Sequence, residues 1–526
     1  MWESVPGVPE EVRRAGDDRP VAALLLGGAV AAAVSLPVVW IALAAVAAPD
    51  APSTVTSPRV LRILGNSLAL VATVTVAAVL LGVPLSYLTT RTNLPGRRLW
   101  TVLLVMPLVL PGWIGAFAYV AAFGPHGRLQ GLLAPLGVRE LPALYGFPGT
   151  ALVLTLYHFP YVFVTTRAAL ASLDGRLIEA ARTLRHGRLA AFRRVSLPLV
   201  RPAVGAGALL VALSTLAAFG EPMIMRFDVF TRAIYVEFNT FGRDAAALLS
   251  LQLVVITLVL LAVETRLRRA TGRQSGGADE DVHDLGRWRW PATALPAAVV
   301  VAAVGVPVWV LLEWLSGPTP AGVPFRAEYA VNTAALGAAA AVLVVCAAAP
   351  VAALSRRRSP AARVVEASSY VAYAVPGVVV GVALVSLAAG HGGEFYQRGA
   401  LFLPMLLFAY VVRFLPEAVG ALRSSVFAVD PRLPEAARTL GRSPVSAHWE
   451  VTLPLAAPGI AAGAALAFVA TIKELPATLL LRPDGVDTLA TYIWAAYSEG
   501  FLAAAALPAL VLFVVSTLAG LLVVRA

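Results

Sequence analysis

Apolar runs of about twenty residues, parted by short polar breaks, recur along the whole of this chain. They lie at 21–48, 64–90, 99–123, 148–170, 203–224, 245–265, 291–315, 330–354, 364–389, 400–422, 456–476 and 500–524. A helix needs roughly 20 apolar residues to cross the hydrocarbon of a bilayer. The chain is therefore expected to be an all-α integral membrane protein with about twelve transmembrane helices in a lipid bilayer. Composition agrees: 59% of the 526 residues are hydrophobic and 13% charged, against about 25% charged in a soluble domain. The first run covers 28 residues, longer than the roughly 7–15 of a signal-peptide core, and is expected to remain as a span.

The net charge of +11 does not point to nucleic acid, because the arginines sit in short loops between spans. Placing the N-terminus inside gathers Arg91, Arg97, Arg98, the segment 174–202, Arg266, Arg268, Arg269, Arg273, Arg356, Arg357, Arg358, Arg363 and Arg525 on one side. The opposite loops (49–63, 124–147, 225–244, 316–329, 390–399 and 477–499) carry fewer arginines, mixed with acids. The positive-inside rule then puts both termini in the cytoplasm. Cys346 is the sole cysteine, and the six histidines form no i, i+4 pair, so neither a disulfide framework nor a structural metal is expected. Lys473 is the only lysine, and a Walker A loop needs a Gly-Lys pair. Any ATP must be bound by another subunit, and no cofactor is expected on this chain.

The chain repeats itself. The segment Asp174–Pro202 returns as Asp430–Pro458 at a shift of 256, with EAARTL identical in both copies. The same shift lays Pro160 on Pro416, Arg167 on Arg423 and Arg226-x-Asp228 on Arg482-x-Asp484, while a shift of 266 lays Asn66 on Asn332, Pro84 on Pro350 and Arg91 on Arg357. Six spans per half is an even number, so the halves insert in parallel, related by a pseudo-twofold axis along the membrane normal, with a solute path expected between them. The polar stretch 266–289, rich in Gly, Ser and acids, is expected to be a cytoplasmic tether between them.

In each repeated segment an aspartate (Asp174, Asp430) suits an N-cap, the EAARTL run has high helix propensity, and Glu179 and Glu435 complement the dipole of an early helical turn. Pro431 suits N1 and Gly441 a C-cap. This pattern, EAA followed by a glycine and a Leu-Pro dipeptide, resembles the coupling motif of binding-protein-dependent ABC importer permeases of the MetI-like type I fold. The resemblance spans about 60–265 and 328–524. It implies two parallel MetI-like six-helix repeats, each presenting a short helix that docks on an ATPase subunit. Glu435, Ala436, Ala437, Gly441, Leu453 and Pro454 match in the second half. Glu179, Ala180, Ala181, Leu197 and Pro198 match in the first, where Arg185 replaces the motif glycine, so asymmetric docking is expected.

Further stretches are similar to ferric-iron importer permeases: Lys473-Glu474-Leu475-Pro476 through Pro483, Asp487 to Thr491, Asn66-Ser67, Leu94 to Arg98, Pro111-Gly112 and Phe227 to Thr231. That family usually fuses two permease halves in one chain, so no permease partner is required. The likeness implies ferric iron as cargo, an extracytoplasmic binding protein, two copies of a cytoplasmic ATPase that supply ATP and Mg, and a place in the bacterial cytoplasmic membrane. Thiamine and polyamine permeases are close relatives. The expected organisation is a tail and first span (1–60), a first permease half (61–265), the linker (266–289), a seventh span with its outer loop (290–327) and a second half (328–526). The competing class is a secondary transporter driven by an ion gradient.

Lys473 and Glu474 stand at the outer end of a span, just before a proline, and adjacent residues on a helix face different neighbours. Ionisable groups in a span face a cavity or a partner. With Glu221 as first-half counterpart, Glu474 fits either an outer gate in transient contact with Fe3+, a hard cation that favours oxygen ligands, or interfacial snorkelling and a structural ion pair. Arg413 and Glu417, at i, i+4, read as a staple. Pro111-Gly112 and Pro376-Gly377 are expected to kink spans three and nine. Tyr492, Trp494 and Tyr497 read as an interfacial aromatic belt.

Overall fold

The computed structural model describes residues 20–48, 53, 55–123, 130, 134–137, 144–173, 194, 196–240, 242–269, 282–316, 325–355, 359–373 and 375–525. Helices α1 to α9 are Pro20–Ala47, Pro58–Arg91, Arg97–Val109, Gly112–Phe123, Gly146–Ala171, Leu197–Ala217, Gly220–Ile224, Phe230–Asn239 and Arg243–Arg269. A further long apolar helix, α10, covers Gly286–Ser316. Helices α11 to α19 are Ala327–Leu354, Pro360–Tyr373, Gly377–His391, Phe402–Ala428, Arg432–Thr439, Leu453–Ile472, Pro476–Leu481, Leu489–Ser498 and Ala506–Arg525. The described residues are all-α apart from an isolated bridge between Thr92 and His283.

Ten of these helices are long and apolar enough to cross a membrane. The other two apolar runs are interrupted where the sequence placed its proline–glycine pairs. Helices α3 and α4 meet at a 94° bend beside Pro111, and α12 and α13 are parted at Pro376. Proline supplies no N–H and its ring clashes with the carbonyl four residues back, so the ladder ends there. These are breaks, sharper than the kinks expected from sequence.

Both halves are built on the same three-helix core: α2 packs on α5 and α6, and α11 packs on α14 and α16. The crossings match residue by residue. A Cβ on Gly207 of α6 would lie 2.7 Å from the Cα of Val162, and one on Gly463 of α16 would lie 3.4 Å from the Cα of Ala418. Both pairs are related by the shift of 256, and such small residues let membrane helices approach closely. At another corner Asn66 donates to the Asp228 carbonyl at 2.9 Å, and Asn332 to the Asp487 carbonyl at 3.0 Å. The next residues repeat the arrangement: Ser67 Oγ accepts from the Phe230 N–H and Thr333 Oγ1 from the Leu489 N–H. Asp228 thus corresponds to Asp487. The alignment with Asp484 was three residues out of register, because the Arg-x-Asp pattern recurs by coincidence.

Two of the four remaining long helices, α1 and α10, clasp the halves together. Helix α1 packs on α9 and on α11, α12 and α13 of the second half, while α10 packs on α3 and α4 of the first half and on α19. His391, at the end of α13, stands edge-on to Trp40 of α1 with ring centroids 5.1 Å apart. Within the stretch 266–289 expected to be a tether, the chain is pinned to the end of α2 and the loop after it: the His283 N–H donates to the Arg91 carbonyl, and the Leu285 N–H to Asn93 Oδ1.

Candidate functional site

The start of the second repeated segment forms α15, which has no buried residue. Its N-cap is Pro431 rather than Asp430, so the helix begins one residue later than expected; Asp430 Oδ1 still accepts from the Arg432 N–H at 2.9 Å. Glu435 lies in its first turn, beside Ala436 and Ala437. Gly441 ends it with a φ of +86°, a left-handed conformation that glycine adopts without strain. Leu433 and Leu440 on this segment and Trp449 beyond it are exposed, Leu440 to 84%. Leu453-Pro454 and Leu197-Pro198 begin α16 and α6, each with proline in the first turn. Asp174, Glu179, Ala180, Ala181 and Arg185 lie outside the described residues. Just before them, where α5 ends, the carbonyls of Leu170 (2.5 Å) and Leu173 (2.8 Å) accept from the buried guanidinium of Arg91.

A cavity of about 270 Å3 lies between the halves, walled by residues from both. Glu221 and Glu474 both line it. Each carboxylate sits against the glycine that follows its own half's helix break: a Cβ on Gly112 would overlap Glu221 Oε1, and one on Gly377 would overlap Glu474 Oε1. These glycines begin α4 and α13, so each carboxylate meets the positive end of a half-helix. Glu474 Oε1 also accepts from the Ala477 N–H at 3.2 Å.

Lys473 lines the same cavity and has a different hydrogen-bond partner. Its Nζ donates to the carbonyl of Leu108 in the first half at 2.9 Å. In an unbroken helix that carbonyl would accept from the N–H of Gly112, four residues on; the break at Pro111 frees it. Trp113, on the far side of the break, approaches the Lys473 carbonyl at 3.5 Å. Lys473 is thus neither snorkelled nor paired in place; it ties one half to the other.

Sequence reasoning missed most of the remaining wall. From α5 come Tyr157, His158 and Tyr161, and from α14 come Arg413, Phe414 and Glu417. The Arg413–Glu417 staple is not formed: Arg413 donates to the Val375 carbonyl beside the second break at 2.7 Å, while Glu417 Oε2 is buried without a partner. Among the described residues no three His, Cys, Asp or Glu side chains converge as a metal site would need.

The aromatic residues assigned to a belt also lie inside. Tyr492 and Trp494 are buried. Trp494 packs 5.9 Å from Phe219, Tyr497 packs 5.5 Å from Phe117, and Tyr497 Oη donates to the Ile224 carbonyl at 3.2 Å. These contacts cross between the halves beside the cavity.

Residues 327–526 match the family described as binding-protein-dependent transport system inner membrane component. The chain is 29% identical over 470 residues to an Fe(3+)-transport system permease protein of Haemophilus influenzae, covering 87% of this chain and 88% of that one. It is 24% identical over 467 residues to a ferric transport system permease protein of Actinobacillus pleuropneumoniae, covering 84% of this chain and 67% of the relative. A probable molybdenum ABC transporter permease of Haloferax volcanii is 32% identical over 206 residues, 39% of this chain and 74% of that protein. Two equivalent helical cores, a Pro-Gly break in each and a cavity between them accord with these matches, and the chain belongs to the permeases of binding-protein-dependent ABC importers.

Proposed function

We propose that this chain is the membrane path of an ATP-driven importer for ferric iron, which an extracytoplasmic binding protein delivers. Two fused halves, 61–265 and 328–526, rock about the central cavity. Two copies of a separate cytoplasmic ATPase drive them by docking on 174–202 and 430–458. The chain lies in the bacterial cytoplasmic membrane with both termini inside, and ATP with Mg is held by the ATPase alone.

The observation that carries this reading is the cavity shared by the halves. Its lining holds three carboxylates, Glu221, Glu417 and Glu474, against two fixed cations, Arg413 and Lys473. A surplus of acids suits a cation and disfavours an oxyanion, and oxygen ligands suit Fe3+. The names of the two Haemophilus and Actinobacillus relatives point the same way. The exposed leucines of α15 and the neighbouring Trp449 suit a docking surface, since an apolar patch on a short polar helix invites a partner.

Uptake by vesicles holding the chain with its ATPase and loaded binding protein tests the reading. Fe3+ is expected to be carried in an ATP-dependent way, with thiamine, spermidine and molybdate carried at background. ATP-dependent uptake of one of those three in place of Fe3+ would overturn the cargo. Uptake by the chain alone, driven by an ion gradient, would overturn the class.

A further inference from the structure

The wall of the cavity raises a question that cargo alone does not answer: what balances its carboxylates when no cargo is present. Lys473 is the chain's only lysine, and it is held in the cavity lining by the Leu108 carbonyl. Glu221, Glu417 and Glu474 line the same cavity. Arg413 also lines the cavity, but its bond to the Val375 carbonyl stays within the second half, whereas the Lys473 anchor crosses to the first. Glu417 Oε2 stays buried and without a partner, a costly state unless something in the cavity satisfies it.

We propose that Lys473 is a tethered counter-cation, occupying among these carboxylates the place that a cargo cation takes in transit, so that a passing ion must displace it. The physical argument is one of competition. A side chain anchored in the cavity acts at a high effective concentration, which favours it over dilute monovalent ions. A trivalent ion gains about three times the Coulombic attraction of a single charge at the same distance and can displace it. The Leu108 bond crosses between the halves, so relative motion of the halves weakens the anchor.

The inference rests on the proposed cation cargo, but its test needs neither ATPase nor binding protein, so each can fail independently. The full chain is placed in lipid nanodiscs and titrated with Tb3+, a hard trivalent probe. Its emission is sensitised by Trp113, whose side chain lines the cavity. Lys473→Gln is expected to raise the apparent Tb3+ affinity by at least about tenfold, since one repelling charge in the lining of the same cavity is removed. Lys473→Arg should stay within about twofold of wild type by the same rule. Adding Glu417→Gln to Lys473→Gln should lower the gained affinity again. Under excitation selective for tryptophan, Trp113→Phe should remove most of the signal, which assigns it to the cavity. Carbamylation of Lys473 in the folded wild-type protein, verified by mass, should reproduce the gain without relying on the folding of a variant. A merely structural lysine would lower thermal stability and leave Tb3+ affinity unchanged. Equal affinity in wild type, Lys473→Gln and carbamylated protein would overturn the proposal, as would a gain that survives removal of all three carboxylates.

Discussion

The two halves share a scaffold and differ at the wall they present to each other. Helices α5 and α14 are equivalent at the shift of 256, and Pro160 and Pro416 coincide. Yet Tyr157, His158 and Tyr161 of the first half face Arg413, Phe414 and Glu417 of the second across the cavity. One wall is aromatic and lightly polar; the other carries charge. Fusion allows this, because each half has a fixed position and its lining can diverge freely. The helix crossings, set by close approach at the matched Gly207 and Gly463, have stayed alike.

Substitutions at matched positions can break or sharpen this comparison. The largest effect is expected at the helix crossings. Gly207→Ala drives a methyl toward the Val162 backbone, 2.7 Å away, whereas the nearest atom to a Cβ on Gly463 is the mobile end of Leu422, at 2.8 Å. Overpacking costs roughly 1–3 kcal/mol, so thermal unfolding should show Gly207→Ala near the top of that range and Gly463→Ala near the bottom. Equal losses would mean that backbone proximity does not set the cost.

The lining should behave unequally too. Glu417→Gln is expected to slow Fe3+ uptake about tenfold, equivalent to about 1.4 kcal/mol, while Tyr161→Phe at the matched position stays within about twofold by the same conversion. A reversed order would place the working wall in the first half. The corner hydrogen bonds should be equal: Asn66→Ala and Asn332→Ala each remove one bond to a backbone carbonyl, worth about 1 kcal/mol, and thermal unfolding should show the same loss for both. Smallest of all, Tyr497→Phe removes the cross-half bond to Ile224 while keeping the ring, and should cost about 0.5 kcal/mol by the same measurement.

Much of the scaffold was legible because the bilayer imposes it. A span must be about twenty apolar residues, a Pro-Gly pair must break it, and a repeated loop must recur at a fixed shift. The cavity was harder to read. Tyr157, His158 and Tyr161 sit inside an apolar run, and hydropathy averages them away. Arg413 and Glu417 have the spacing of a surface pair, but the freed Val375 carbonyl beside the second break offers the arginine a closer partner, and no local rule foretells it. The same is true of Lys473, whose acceptor, Leu108, lies 365 residues away in sequence. Trp494 and Tyr497 had the composition of a membrane belt, yet Phe219 and Phe117 of the first half supply rings they pack on.

The central claim is that each fused half offers one docking element to a separate motor, and copurification of the ATPase with the full chain tests it most directly. The account predicts that wild type carries two ATPase copies and that Glu179→Arg with Glu435→Arg together abolishes the association. The two single variants should weaken it unequally, because Arg185 stands in the first segment where Gly441 stands in the second. Retention of both ATPase copies and full uptake by the double variant would contradict the account.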